Sequence, residues 1–117
     1  MQFVMVIYHG NFPLPGSPGW DALSRSEQRD IYAEYARLNE AMGDALRLPP
    51  IAPHTAKTVR VHDGAVQAED GPYLREGIGG AFVYDVEDMD AAVAFAARIP
   101  QARLGGAIEI RPVEKYF

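Results

Sequence analysis

An α+β domain is what the sequence predicts: a sheet with two helices laid against it. Three observations carry that reading. The runs "FVMVIY" (3–8) and "GAFVYDV" (80–86) are short, apolar and rich in β-branched and aromatic residues, as buried strands are. Two longer segments, 24–42 and 88–99, repeat apolar residues every three or four positions, the period of a helix with one buried face. The last run, "GAIEIRPV" (106–113), alternates with the two-residue period of a strand.

The first run is expected to be a central strand buried on both faces, ended by Gly10 and the Pro/Gly-rich "NFPLPGSPG" (11–19). Ser24 and Glu27 then have the spacing of a capping box, in which each side chain satisfies a backbone N–H of the first turn. Ile31, Tyr35, Leu38 and Met42 share one stripe of the helix that follows, and the charges at Arg29, Glu34, Arg37 and Glu40 fall largely off it. "GDALRLPPIAP" (43–53) carries three prolines and cannot continue a helix. "KTVRV" (57–61) alternates and "AVQAED" (65–70) runs back, with Asp63-Gly64 between them as a hairpin turn that tolerates positive φ. After the strand at 80–86, Asp88 is expected to cap a helix with Met89, Ala92, Val93, Ala96 and Ile99 on its apolar stripe, ended by Pro100. The order is β-α-β-β-β-α-β. Without the hairpin arm it leaves two βαβ halves, the split arrangement of a ferredoxin-like sandwich. At 117 residues the chain is expected to be one domain, 1–117, and a domain this small gains from burying a face against a second subunit.

Composition narrows the partners. The net charge of −5 and the lack of any basic run argue against nucleic acid or an anionic membrane. With no cysteine, disulfides, thiolate catalysis and Cys-ligated zinc are excluded. No stretch approaches the roughly 18 apolar residues of a membrane span. The opening residues lack the basic region and cleavage site of a secretion signal, so a cytoplasmic location is expected.

The three histidines, His9, His54 and His62, show no metal-ligand spacing. His62 precedes a turn and reads as solvent-facing, while His54, in a Pro-rich segment, says little. His9 lies at the end of the first strand, where a scaffold presents side chains to a cleft, and its ionisation near neutral pH suits proton transfer; a partly exposed loop histidine is the plainer alternative. The "GIGG" at 77–80 precedes a strand rather than a helix, the wrong order for a phosphate loop. Asp85, Glu87, Asp88 and Asp90 are accounted for by a helix start. Asp70 is harder to dismiss. It ends a strand, is followed by Gly71 and Pro72, and lies near Tyr73, an aromatic that would desolvate it and suit it to acid–base work; an Asx-type turn accounts for the same residue types.

Taken in order, Thr58-Val59-Arg60, Asp63-Gly64, Asp70-Gly71-Pro72-Tyr73, Gly79-Gly80, the acidic helix start at 85–91 and the strand at 108–112 resemble the YciI-related (YCII) family, in the branch named for a DGPF motif. The resemblance implies a ferredoxin-like α+β fold that dimerises as a barrel-like assembly, with a pocket near the Asp-Gly-Pro turn. Relatives in the wider family include a dehydrochlorinase of a chlorinated hydroxyquinol, for which a His–Asp pair has been proposed. Here Tyr73 replaces the usual Phe, the segment after the motif reads "LREGI", and the helix at 24–42 contains no histidine, so His9 is left to supply any imidazole.

The function expected on these grounds is a small, cofactor-independent enzyme using general acid–base chemistry (elimination, isomerisation or dehydration) on a compact cyclic or aromatic metabolite. Asp70 would move the proton, His9 or Tyr73 would assist or polarise, Arg60 or Arg75 would hold an anionic oxygen, and Tyr8 and Pro72 would contact the substrate. No metal is expected. The expected partners are a small-molecule substrate or ligand and a second copy of the chain. Two alternatives stand beside it. One is a dimeric, non-catalytic ligand-sensing or partner-binding module, for which the tail ending in Tyr116-Phe117 is a candidate patch; packing of that tail across the dimer interface is the plainer alternative. The other is a cofactor-free oxygenase of the dimeric α+β-barrel type, with Trp20, Tyr32 and Tyr35 in its pocket.

Overall fold

The computed structural model describes residues 1–48, 56–71, 73 and 78–114. The first apolar run forms β1 (Gln2–Tyr8), which lies inside a four-stranded sheet. Its neighbours are β5 (Ile78–Asp85) and β6 (Ala107–Pro112), both antiparallel to it, and a short β2 (Arg47–Leu48) pairs with the far side of β5. The strand order is β2-β5-β1-β6. A separate two-stranded hairpin is made by β3 (Lys57–His62) and β4 (Ala65–Asp70). The molecule is an α+β protein with antiparallel sheets, and the described strands close no barrel.

The main helix, α2 (Arg25–Met42), begins on the expected capping box. Ser24 Oγ accepts from the Glu27 N–H at 3.1 Å, and the Ser24 N–H donates to the Glu27 carboxylate at 3.3 Å. Its apolar stripe is the expected one: Ile31 and Leu38 are buried, with Tyr35 and Met42 packed at the edge of the core. Leu38 sits beside Phe3, Met5 and Phe82 in the cluster that joins helix to sheet. Leu38→Ala is therefore expected to cost about 2–5 kcal/mol, read as a lowered midpoint in urea denaturation at unchanged slope.

Two burial expectations are corrected. β1 is buried on one face only. Phe3 and Met5 are sealed under the helices, while Val4 and Val6 on the opposite face are half-exposed, as are Val83 and Ala81 opposite them on β5. In the second helical segment, α3 (Met89–Ala96), the buried line is Ala92, Phe95 and Ala96, with Ile99 buried beyond its end and Met89 and Val93 turned outward. Phe95 sets that rotation, because its ring packs edge-on against Phe82 at 6.0 Å and lies tilted against Tyr84 at 4.4 Å. The Asp88 cap is as expected, accepting from the Ala91 N–H at 2.8 Å.

Two short helices were not foreseen. The Pro/Gly-rich loop contains α1 (Pro18–Asp21), capped by Ser17, and it buries Trp20. Pro100 opens α4 (Pro100–Arg103), with proline at its first turn, where a missing N–H costs nothing. The hairpin turns as expected, with Asp63 at φ 49° and Gly64 at φ 78°. The radius of gyration is 16.5 Å, against about 13 Å for a compact chain of this length, so the molecule is more extended than a compact domain.

Candidate functional site

A cavity of about 570 Å³ opens between α2, the sheet and the loop that follows β1. Its walls come from both apolar clusters, with Phe82, Phe95 and Leu38 from one and Phe12, Trp20 and Ile31 from the other. The volume falls within the range of small-molecule sites, and so does the pattern of an apolar lining with a few polar groups.

At one end of the cavity three polar groups, His9, Gln101 and Tyr35, form a connected chain. By the two-residue strand period, His9 follows Phe3, Met5 and Ile7 on the helix-facing side, and it lines the cavity. Its ring stacks on Phe12, centroids 6.2 Å apart. Gln101, 4% exposed, places its amide nitrogen 3.3 Å from His9 Nδ1. The Tyr35 hydroxyl donates to the other end of the same amide. An amide nitrogen only donates, so Nδ1 accepts and the proton of the neutral ring sits on Nε2. Nε2 has no hydrogen-bond partner among the described residues. Burial pushes the His9 pKa below the ordinary histidine value of 6.5. The Tyr35 pKa is raised by burial and, secondarily, by the neighbouring Glu34 carboxylate, so this phenol stays protonated and acts as a donor.

Two glycines make room for His9. At Gly79, a Cβ would fall within the imidazole at its Nε2 edge, so the ring occupies the space that a side chain would take. Gly79 lies at the irregular register between β1 and β5, where Ile7 faces Gly80 and Tyr8 faces Ile78. Gly10 turns the chain out of β1 at φ 52° against the backbone of Gly105, which fixes where the strand releases His9.

The other expected site residues lie elsewhere. Asp70 is at the base of the hairpin, its side chain 87% exposed and paired with Lys57 across the strands at 2.6 Å. Arg60 stacks over the Tyr73 ring at 5.1 Å, on a shallow face of the same hairpin. Tyr8 is half-buried on the sheet face away from Ile7 and the cavity. Pro72, Arg75, His54 and the Tyr116-Phe117 tail lie outside the described residues. His62 is exposed on the hairpin, as expected. Sequence reasoning missed Gln101 and Arg47. Ninety-two residues separate Gln101 from His9, and no local spacing marks the pair. Among the described residues no cluster of His, Asp or Glu has the makings of a metal site, and no helix is long and apolar enough to cross a membrane.

Fold and site together define a small α+β domain with an apolar chamber served by one imidazole. The chain matches the YCII-related domain over residues 1–116 and belongs to that family. No curated protein matches it.

Proposed function

We propose that the protein is a cofactor-independent acid–base enzyme acting on a compact cyclic or aromatic metabolite in the His9 cavity. The observation that carries this reading is a neutral imidazole, oriented by Gln101, in a largely apolar chamber. Its Nε2–H is placed to donate to a carbonyl or phenolic oxygen of the ligand. There it stabilises the negative charge that develops when a proton leaves a neighbouring carbon, an effect strengthened where water is excluded. Elimination, isomerisation and dehydration all develop such charge.

Two features support assembly as a homodimer. The sheet leaves Val4, Val6 and Val83 on a face that the helices do not cover, and an isolated two-stranded hairpin is marginal in water. The strand order supports a ferredoxin-like split βαβ arrangement, and Asp70-Gly71-Pro72-Tyr73 supports the DGPF branch. In this reading Asp70 and Tyr73 act across the subunit boundary, where the hairpin of one copy supplies the base to the cavity of the other.

Turnover is sought against a panel of hydroxylated and chlorinated phenols, quinols and cyclic ketones, followed by absorbance. His9→Gln is expected to lower kcat/KM on the order of 10²–10³-fold with the fold intact. The lowered pKa keeps His9 neutral further into acid, so its neutral form is lost only as pH falls through a value below 6.5, and the acid limb of the profile should lie there. Undiminished turnover in His9→Gln would sink the proposal. Asp70→Asn is expected to lower kcat while leaving ligand quenching of Trp20, the chain's one tryptophan, unchanged. Full turnover in Asp70→Asn removes Asp70 and leaves His9 standing.

One observation favours a second reading, a cofactor-free oxygenase: Trp20, Tyr32 and Tyr35 line the same cavity. Oxygen uptake with an electron-rich phenol separates the two.

A further inference from the structure

Arg47 is the one permanently charged side chain among the described residues that line the cavity. It sits on β2, held against the C-terminal end of α2. Nη1 donates to the Asn39 side chain at 2.9 Å, and Nη2 donates to the carbonyls of Asn39 and Gly43 at 3.2 and 2.8 Å. These bonds orient the guanidinium and occupy three of its five N–H groups. They explain part of its presence, since a cation complements a helix C-terminus. They do not neutralise it: every acceptor is a neutral oxygen, and Arg47 has no carboxylate partner among the described residues.

The register gives the spacing along β5 of the strand positions beside the two polar ends. Arg47 pairs with Phe82, and His9 packs on Gly79. Three residues of strand separate those positions, about 10 Å at roughly 3.3 Å per residue. Between them the lining is apolar, including Phe82 and Leu38.

From this spacing we infer that the ligand is a cyclic or aromatic carboxylic acid, one or two rings long, with a hydroxyl or carbonyl oxygen opposite its acid group. The carboxylate meets Arg47, the oxygen meets His9 Nε2–H, and the ring body fills the apolar span. This inference rests on the proposed ligand cavity and adds the acid group and its anchor.

The test is isothermal titration calorimetry with 6-hydroxy-2-naphthoate and 2-naphthol, which share a ring and hydroxyl and differ in the acid. The wild-type protein is expected to bind the acid about 10-fold or more tightly than the naphthol, a preference that shrinks as NaCl is raised from 20 to 300 mM, roughly the range over which charge pairs are screened. Arg47→Met is expected to bring the ratio close to one while retaining 2-naphthol binding. Arg47→Lys, which keeps the charge, should retain part of the preference. His9→Gln should weaken both ligands and leave their ratio unchanged. Equal wild-type affinity for the two compounds, or an undiminished ratio in Arg47→Met, overturns the Arg47 assignment and leaves the cavity reading intact. Binding of neither compound overturns both.

Discussion

Gly79→Ala is expected to lower turnover by about as much as losing His9, on the order of 10²–10³-fold in kcat/KM, without unfolding the protein. The added methyl meets the imidazole at its Nε2 edge, and a side chain yields more easily than the paired backbone of β5. Gly79 does not hold a positive φ, so alanine is not strained there by its backbone. The ring is pushed off its seat, which disturbs its contact with the Gln101 amide that fixes its tautomer. Leaving the pocket also lifts the desolvation that depresses its pKa, so the residual acid limb should move up toward 6.5. A purely structural role for Gly79 predicts a lower melting temperature and an unchanged acid limb. A pH profile and a thermal melt of the same variant therefore separate the two accounts.

The second large effect concerns assembly. Val61 and Val66 pair across the hairpin and are 67% and 71% exposed, with Val59 similarly bare. β-branched side chains at paired positions on a two-stranded ribbon suit burial, and leaving three of them in water forgoes roughly 1.5–3 kcal/mol apiece. Covered by a second copy, they would anchor the hairpin. The double variant Val61→Glu/Val66→Glu places two carboxylates in that contact and is expected to convert a dimer to a monomer in sedimentation equilibrium. In the proposed arrangement Asp70 serves the cavity across the same boundary, so the monomer should lose turnover while its cavity still binds 2-naphthol. A wild-type chain that sediments as a monomer contradicts this part of the account.

Much of the fold is legible in local sequence because it rests on local physics. Ser24 and Glu27 mark a helix start at three-residue spacing, Asp63-Gly64 marks a turn, and the apolar runs at 3–8 and 80–86 mark the strands that pair at the centre. What escaped depends on tertiary contact. The face of α3 follows from where Phe95 meets Phe82, and periodicity alone did not distinguish that face from the one through Met89 and Val93. β2 is two residues long and exists only by pairing with β5. Pro100 reads as a stop, yet the chain begins a new turn there and brings Gln101 under His9.

The site divides along the same line. The position of His9 at the end of the first strand was visible, because a strand end is a local feature. Its partner Gln101 was not, nor was the bond from Tyr35 to that amide, although Tyr35 itself reads as a pocket aromatic; their meeting depends on α4 packing beside α2 and the sheet. The turn at Asp70-Gly71 is marked by its residue types, but sequence does not show that its carboxylate stands on an exposed hairpin and faces Lys57.

The central claim is that His9 is a neutral, half-buried imidazole that meets the ligand. It is tested most directly by following the Cε1–H resonances of the three histidines through a pH titration, with and without 2-naphthol, assigning His9 through the His9→Gln variant. The account predicts that His9 titrates below 6.5, and that its resonance and midpoint shift when 2-naphthol binds. A His9 that titrates at 6.5 and does not respond to a ligand that quenches Trp20 would contradict it.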